Sequence, residues 1–213
     1  MALSMRGKLM PLNQPTRFVP AYYAQYTKGH QGARDRIGGL PSHLPSPYPT
    51  CSSCGKPLGF LMQLYVDDKE LFPDDWLALQ LYESADEGCC MEGDSRLLIV
   101  PKGAAENTAN EGLEALDIEP RDITWLRRDD PDPSLSPDDI GVFYDEDGVG
   151  ELFAEWAHLD DDKLGGCFAW EDDLVCTTGY RLGAIGQFRR SAAACDRIYL
   201  YIPPGGDPHY SYF

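Results

Sequence analysis

Cys51-Ser52-Ser53-Cys54-Gly55 is the stretch of the chain whose spacing most plainly suggests chemistry. Two thiols three positions apart and a following glycine have the shape of a zinc knuckle, in which the turn aims backbone amides at the thiolates. A closed structural zinc site takes four ligands, so this pair is half of one. The apolar run at 58–65 suits an outgoing strand and residues 76–82 a returning one. Paired as a hairpin, they bring Cys89 and Cys90 back beside Cys51 and Cys54. The expectation is structural zinc on Cys51, Cys54, Cys89 and Cys90, with His43 as a substitute ligand. Two alternatives stay open. Reduced thiols in a core would give the same sequence. A redox dithiol would need the pair to open a helix in a βαβ unit, and this pair precedes a strand.

Other chemistry is thin. His30, His43, His158 and His209 lie far apart, and the zinc-protease, nucleophile-elbow and phosphate-loop motifs are absent. The stretch from Tyr144, "YDEDGVGELF", imitates a calcium loop. With Gly148 as its glycine, however, the first and twelfth positions fall on Phe143 and Ala154, which carry no oxygen ligand. "LDDDK" at 159–163 reads as a solvated charge run. Cys167, Cys176 and Cys195 read as ordinary core residues.

Charge bounds the partner. Asp and Glu number 35 against 18 Lys and Arg, a net charge of −17. Phosphate-rich partners need clustered cations, so nucleic acid and anionic membrane are poor partners. A basic protein is a good one, because the opposite charge speeds encounter. Hydrophobic residues make up 43%, enough for a core. The first residues, "MALSMRGKLMPLNQP", lack the apolar run of a signal peptide, and no stretch is apolar enough to span a bilayer. Seven cysteines without an export signal suit a reducing compartment, so the expectation is a soluble, cytoplasmic protein.

The elements that would hold these groups occur twice. Set without gaps, residues 178–187 (TGYRLGAIGQ) match residues 54–63 (CGKPLGFLMQ) at Gly55/Gly179, Leu58/Leu182, Gly59/Gly183 and Gln63/Gln187. Thr178 stands where Cys54 does, so the turn itself does not require metal. Upstream of each lies a basic residue, an aliphatic and two glycines, Arg36-Ile37-Gly38-Gly39 and Lys163-Leu164-Gly165-Gly166. Downstream of each lies a second strand-like run, at 76–82 and 197–202. Gln63 and Gln187 are the polar residues at matched strand positions; they suit a buried hydrogen-bond pair or the lining of a cleft between repeats. Residues 110–116 and 151–159 have helical spacing. The Pro- and Asp-rich stretch 127–139 reads as an exposed connection.

Taken together, "RIGGLP…CSSCGKPLGFLMQLY", "KLGGCFAW…GYRLGAIGQF" and "DRIYLYIPP" resemble the YwqG-like family of bacterial proteins, over about residues 36–204. Residues 37–100 also resemble the eukaryotic programmed cell death protein 2. The first resemblance carries no settled activity, but such families stand beside secreted toxins, which implies an immunity role. The second implies a chaperone for a ribosomal protein. The expected architecture is a single β-rich α+β domain over 1–213. It holds repeat one at about 36–100, a connection at about 101–150, repeat two at about 151–204, and a few short helices around one shared core. The expected function is a non-enzymatic binder of a basic protein, a toxin domain or a ribosomal client, with an enzyme or ligand site between the repeats as the alternative. Asp129, Asp130 and Asp132 in the acidic stretch are the expected binding residues.

Overall fold

A computed structural model describes residues 18–29, 32–84, 95–107, 116, 118–132, 144–145, 148–149, 161–166, 184–189, 197–202 and 209–212. Twelve strands run through them. They are β1 Phe18–Lys28, β2 Asp35–Ile37, β3 Gly59–Tyr65, β4 Trp76–Glu83, β5 Ser95–Pro101, β6 Arg121–Pro131, β7 Tyr144–Asp145, β8 Gly148–Val149, β9 Lys163–Gly165, β10 Ala184–Arg189, β11 Arg197–Tyr201 and β12 His209–Tyr212. Among the described residues there is no helix, which corrects the expected α+β class to an all-β one. The two stretches with helical spacing lie outside the described residues, apart from Leu116. Leu, Ile and aromatic residues dominate the segments that build the described core, and β3 is buried at every position.

Ten strands form one antiparallel sheet in the order β12-β11-β10-β9-β1-β6-β2-β3-β4-β5. The sheet curls strongly, as right-handed strand twist requires, until Cα atoms of its edge strands β12 and β5 come within 8 Å. β7 and β8 form a separate two-stranded ribbon. The centre is the 11-residue pair β1 and β6, matched from Phe18↔Pro131 to Lys28↔Arg121. Residues 127–131, expected as an exposed connection, are therefore the end of an inner strand. Pairing along the whole length of β1 outweighs a charged, proline-ended composition that disfavours strand.

On either side of this pair the ladders repeat. Arg36 faces Gln63 as Lys163 faces Gln187, and Ile37 faces Met62 as Leu164 faces Gly186. Gln63 faces Gln80 as Gln187 faces Tyr199. Both β3 and β10 carry an irregularity two residues before the glutamine, between Phe60 and Met62 and between Ala184 and Gly186. The glycine pairs share a backbone state, φ being +69° and +75° at Gly38 and Gly39 and +73° at both Gly165 and Gly166. The inner face of the curl is apolar and spans both sides, with Tyr22, Ile37, Leu64, Leu79, Leu81, Ile123, Leu164, Phe188, Ile198 and Leu200 in one cluster.

Candidate functional site

Strand alternation puts a polar row on the face opposite this core. In the first half the row is Arg36, Gln63, Gln80 and Tyr82, roofed by the loop that follows β2. Gln63 is wholly buried and ties loop to sheet. Its Oε1 accepts from the Ser42 amide at 3.0 Å and from Gln80 Nε2 at 2.9 Å. Its Nε2 donates to the Arg34 carbonyl and to Ser42 Oγ, both at 3.2 Å. Gln80 Nε2 also reaches the His43 carbonyl at 2.8 Å, and Tyr82 OH donates to Gln80 Oε1 at 2.9 Å. Buried His43 engages both ring nitrogens, with Ala105 O at 3.1 Å and Tyr65 OH at 2.9 Å. These two contacts tie the ring of His43, the expected substitute zinc ligand, to the Ala105 carbonyl and to β3.

In the second half Lys163 occupies the place of Arg36, and it is buried with a partner from β6. Lys163 is 0% and Asp130 1% exposed in their side chains, with Nζ 2.6 Å from Oδ2. Tyr23 OH donates to the other carboxylate oxygen of Asp130. Burial and the hydrogen bond to Asp130 hold the Tyr23 phenol well above the usual tyrosine range. Gly166 explains why the glycine pair stands here. A Cβ on it would lie 2.2 Å from Asp130 Oδ2, so a side chain would expel the carboxylate from its lysine. On the inner face Asp35 accepts from the Tyr65 amide and, at 2.9 Å, from Trp125 Nε1. Burial pushes its carboxyl above the ordinary range against the opposing pull of Lys69.

Between the halves, residues of β1 and β6 together with Asp161 and Asp162 line a cavity of about 280 Å³. Tyr23, Tyr26 and Leu126 give it apolar surface, while Arg128, Asp161 and Asp162 bring charge. Tyr26 OH donates to Asp162 Oδ2 at 2.5 Å, and Gln187 Nε2 donates to the Asp161 carbonyl at 2.7 Å. The matched glutamine of the second half thus holds the wall of the cavity, as Gln63 holds the loop of the first. Arg128 lies over Tyr23, 5.1 Å from the ring centroid, and Leu126 is among the exposed large apolar residues.

The expected site residues fall in different places. Cys51 is buried in an apolar cluster with Leu58, Phe60 and Tyr82, whereas Cys54 is exposed. The Gly55 amide donates to the Cys51 carbonyl at 2.9 Å and closes the turn. β3 and β4 do pair, with Gly59 facing Glu83. Cys89 and Cys90 lie outside the described residues, so the described part of the cysteine set is one buried and one exposed thiol. Among the described residues no group of three or more His, Cys, Asp and Glu can hold a metal ion. Asp129 is exposed and pairs with Arg127 at 3.3 Å. Asp132 is half-buried, and Asp130 is buried against Lys163.

The residues that sequence reasoning passed over are Asp35 and Asp162, which precede the basic residue in both halves. The repeated signal is Asp-Arg/Lys-Ile/Leu-Gly-Gly, and in the second half it hides within "LDDDK". Among the described residues no helix is long and apolar enough to cross a membrane. No protein-family model and no curated protein matches the chain.

Proposed function

We propose that the protein is a non-enzymatic acidic binding module that takes a basic protein partner. The observation that carries this reading is the surplus of 35 acidic over 18 basic residues. Interior pairing sharpens it, because Lys69 and Lys163 are buried and spend their charge on carbonyl and carboxylate groups inside the fold. Exposed Arg127 is likewise answered by Glu70 and Asp129. A field of this sign raises the encounter rate with cationic proteins and repels nucleic acid. A secreted toxin domain neutralised by direct contact is the sharpest form of the reading and rests on the sequence resemblance. The cavity beside β1 and β6 gives the described surface a concave feature, where an anchor side chain of a partner gains most.

Affinity capture on the tagged full chain, read by mass spectrometry, tests the proposal. The expected result is one stoichiometric protein of high isoelectric point whose association slows as salt is raised. Retained proteins with no excess of basic ones, or an association rate that ignores salt, would sink it.

A further inference from the structure

Residues 49–58 double back as a tight hairpin, and Cys51 and Cys54 lie in its turn. The Leu58 amide donates to the Pro49 carbonyl at 3.0 Å and the Cys51 amide to the Lys56 carbonyl at 2.8 Å, while Thr50 faces Pro57. Inside that frame the Gly55 amide reaches back four residues to the Cys51 carbonyl at 2.9 Å, with Gly55 at φ +71°. Residues 51–54 therefore make one helical turn, closed by a left-handed glycine. In such a turn residues three apart share a face, with Cα atoms about 5 Å and Cβ atoms about 5–6 Å apart. A disulfide spans Cα separations of roughly 4.4–6.8 Å and Cβ separations of about 3.5–4.5 Å. The backbone thus suits one already, and the side chains need close by only about an ångström.

We propose that Cys51 and Cys54 form an oxidation site, at which hydrogen peroxide or an organic hydroperoxide converts the two thiols to a local disulfide. Exposure divides the roles. Cys54 lies in the exposed run 52–57 and meets an oxidant directly. Cys51 is 2% exposed, packed with Leu58, Phe60 and Tyr82, and is screened from one. With hydrogen peroxide, the Cys54 sulfur attacks one oxygen, the O–O bond breaks, and the thiol proton leaves with the other oxygen as water. Cys54 is then a sulfenic acid. The Cys51 sulfur attacks it, the S–O bond breaks, and the hydroxide takes the Cys51 proton as a second water. The two thiols supply both electrons, so no further reductant enters. Metal and disulfide are alternative states of these sulfurs, because oxidation consumes the thiolates that a metal requires.

The test treats the full chain, as purified and again after chelation, with a small excess of hydrogen peroxide. Remaining thiols are capped with N-ethylmaleimide in denaturant, and peptide mapping by mass spectrometry reads the segment that carries both cysteines. The expected product is an uncapped peptide about 2 Da lighter than the reduced one and restored by dithiothreitol. Cys51→Ala removes the second sulfur, so Cys54 should accumulate as sulfenic acid and its dimedone labelling should rise severalfold over the parent chain. Cys54→Ser, at an exposed position, should leave Cys51 a thiol that caps in full. Cys54 passing to sulfinic acid or bonding to any other cysteine while Cys51 stays a thiol overturns the assignment. So does a pair that stays reduced both with and without chelation.

Discussion

Replacing Asp130 by alanine removes the buried carboxylate that lies 2.6 Å from Lys163 Nζ, a cation with 0% side-chain exposure. Breaking one side of a buried ion pair costs about 3–5 kcal/mol, because the survivor keeps its desolvation penalty and loses its attraction. Tyr23 OH loses its carboxylate acceptor in the same change. For a domain of this size each kcal/mol moves the thermal midpoint by about 2–4 °C, so Asp130→Ala should lower it by about 6–20 °C. Lys163→Met takes the cation from buried Asp130 and should cost a similar amount. The triple variant Asp130→Leu, Lys163→Met and Tyr23→Phe removes every member of the polar set and should recover most of the loss, since apolar replacements of buried ion pairs are near neutral. Thermal and urea unfolding followed by far-ultraviolet circular dichroism read all of these. A single-variant shift below about 2 °C, or a triple variant as unstable as the sum of the singles, would show that the pair is solvated and the reasoning wrong.

Gly166→Ala should destabilise nearly as much as Asp130→Ala, because its Cβ would displace the carboxylate. Gly103→Ala, with φ +87° but nothing within 4 Å, isolates the backbone cost in parallel melts. Gln63→Ala should cost about 1–3 kcal/mol for each buried partner left unsatisfied, and should raise hydrogen exchange at the Ser42 amide above that of β4. Alkali should unfold the protein cooperatively. Burial raises Tyr23, Tyr48 and Tyr82, with Tyr48 pushed up to about 12 from 10.0, so their contribution is complete below pH 10 and is lost as pH rises through the folded values. Absorbance at the phenolate band should then rise with unfolding rather than before it. Metal analysis of protein purified without chelator checks the cysteine expectation. About one zinc per chain, released by Cys54→Ser, supports it, while metal-free protein leaves Cys51 as part of an apolar cluster.

Much of the sheet was legible because its strands carry strong local signals. Apart from Gly59, Gln63 and Arg197, residues 59–65 and 197–201 are aromatic or aliphatic in character, and the glycine pairs mark backbone that needs positive φ. The central pair was not. β6 reads Arg-Arg-Asp-Asp-Pro at its end, and nothing in that run says that the second aspartate is buried against Lys163. Asp130 and Lys163 are 33 positions apart and Tyr23 is 140 positions from Lys163, so no local pattern could pair them. The helices were expected from spacing alone, in stretches that lie outside the described residues except for Leu116, which packs against the core. The cavity depends on where three separated strands lie and carries no linear signature.

The central claim is recognition of a basic partner by an acidic surface. The measurement that tests it most directly is the association rate of the captured partner with the full chain across ionic strength. The account predicts a rate that falls steeply as salt rises, while dissociation changes far less. A rate independent of salt, or one that rises with it, would contradict it.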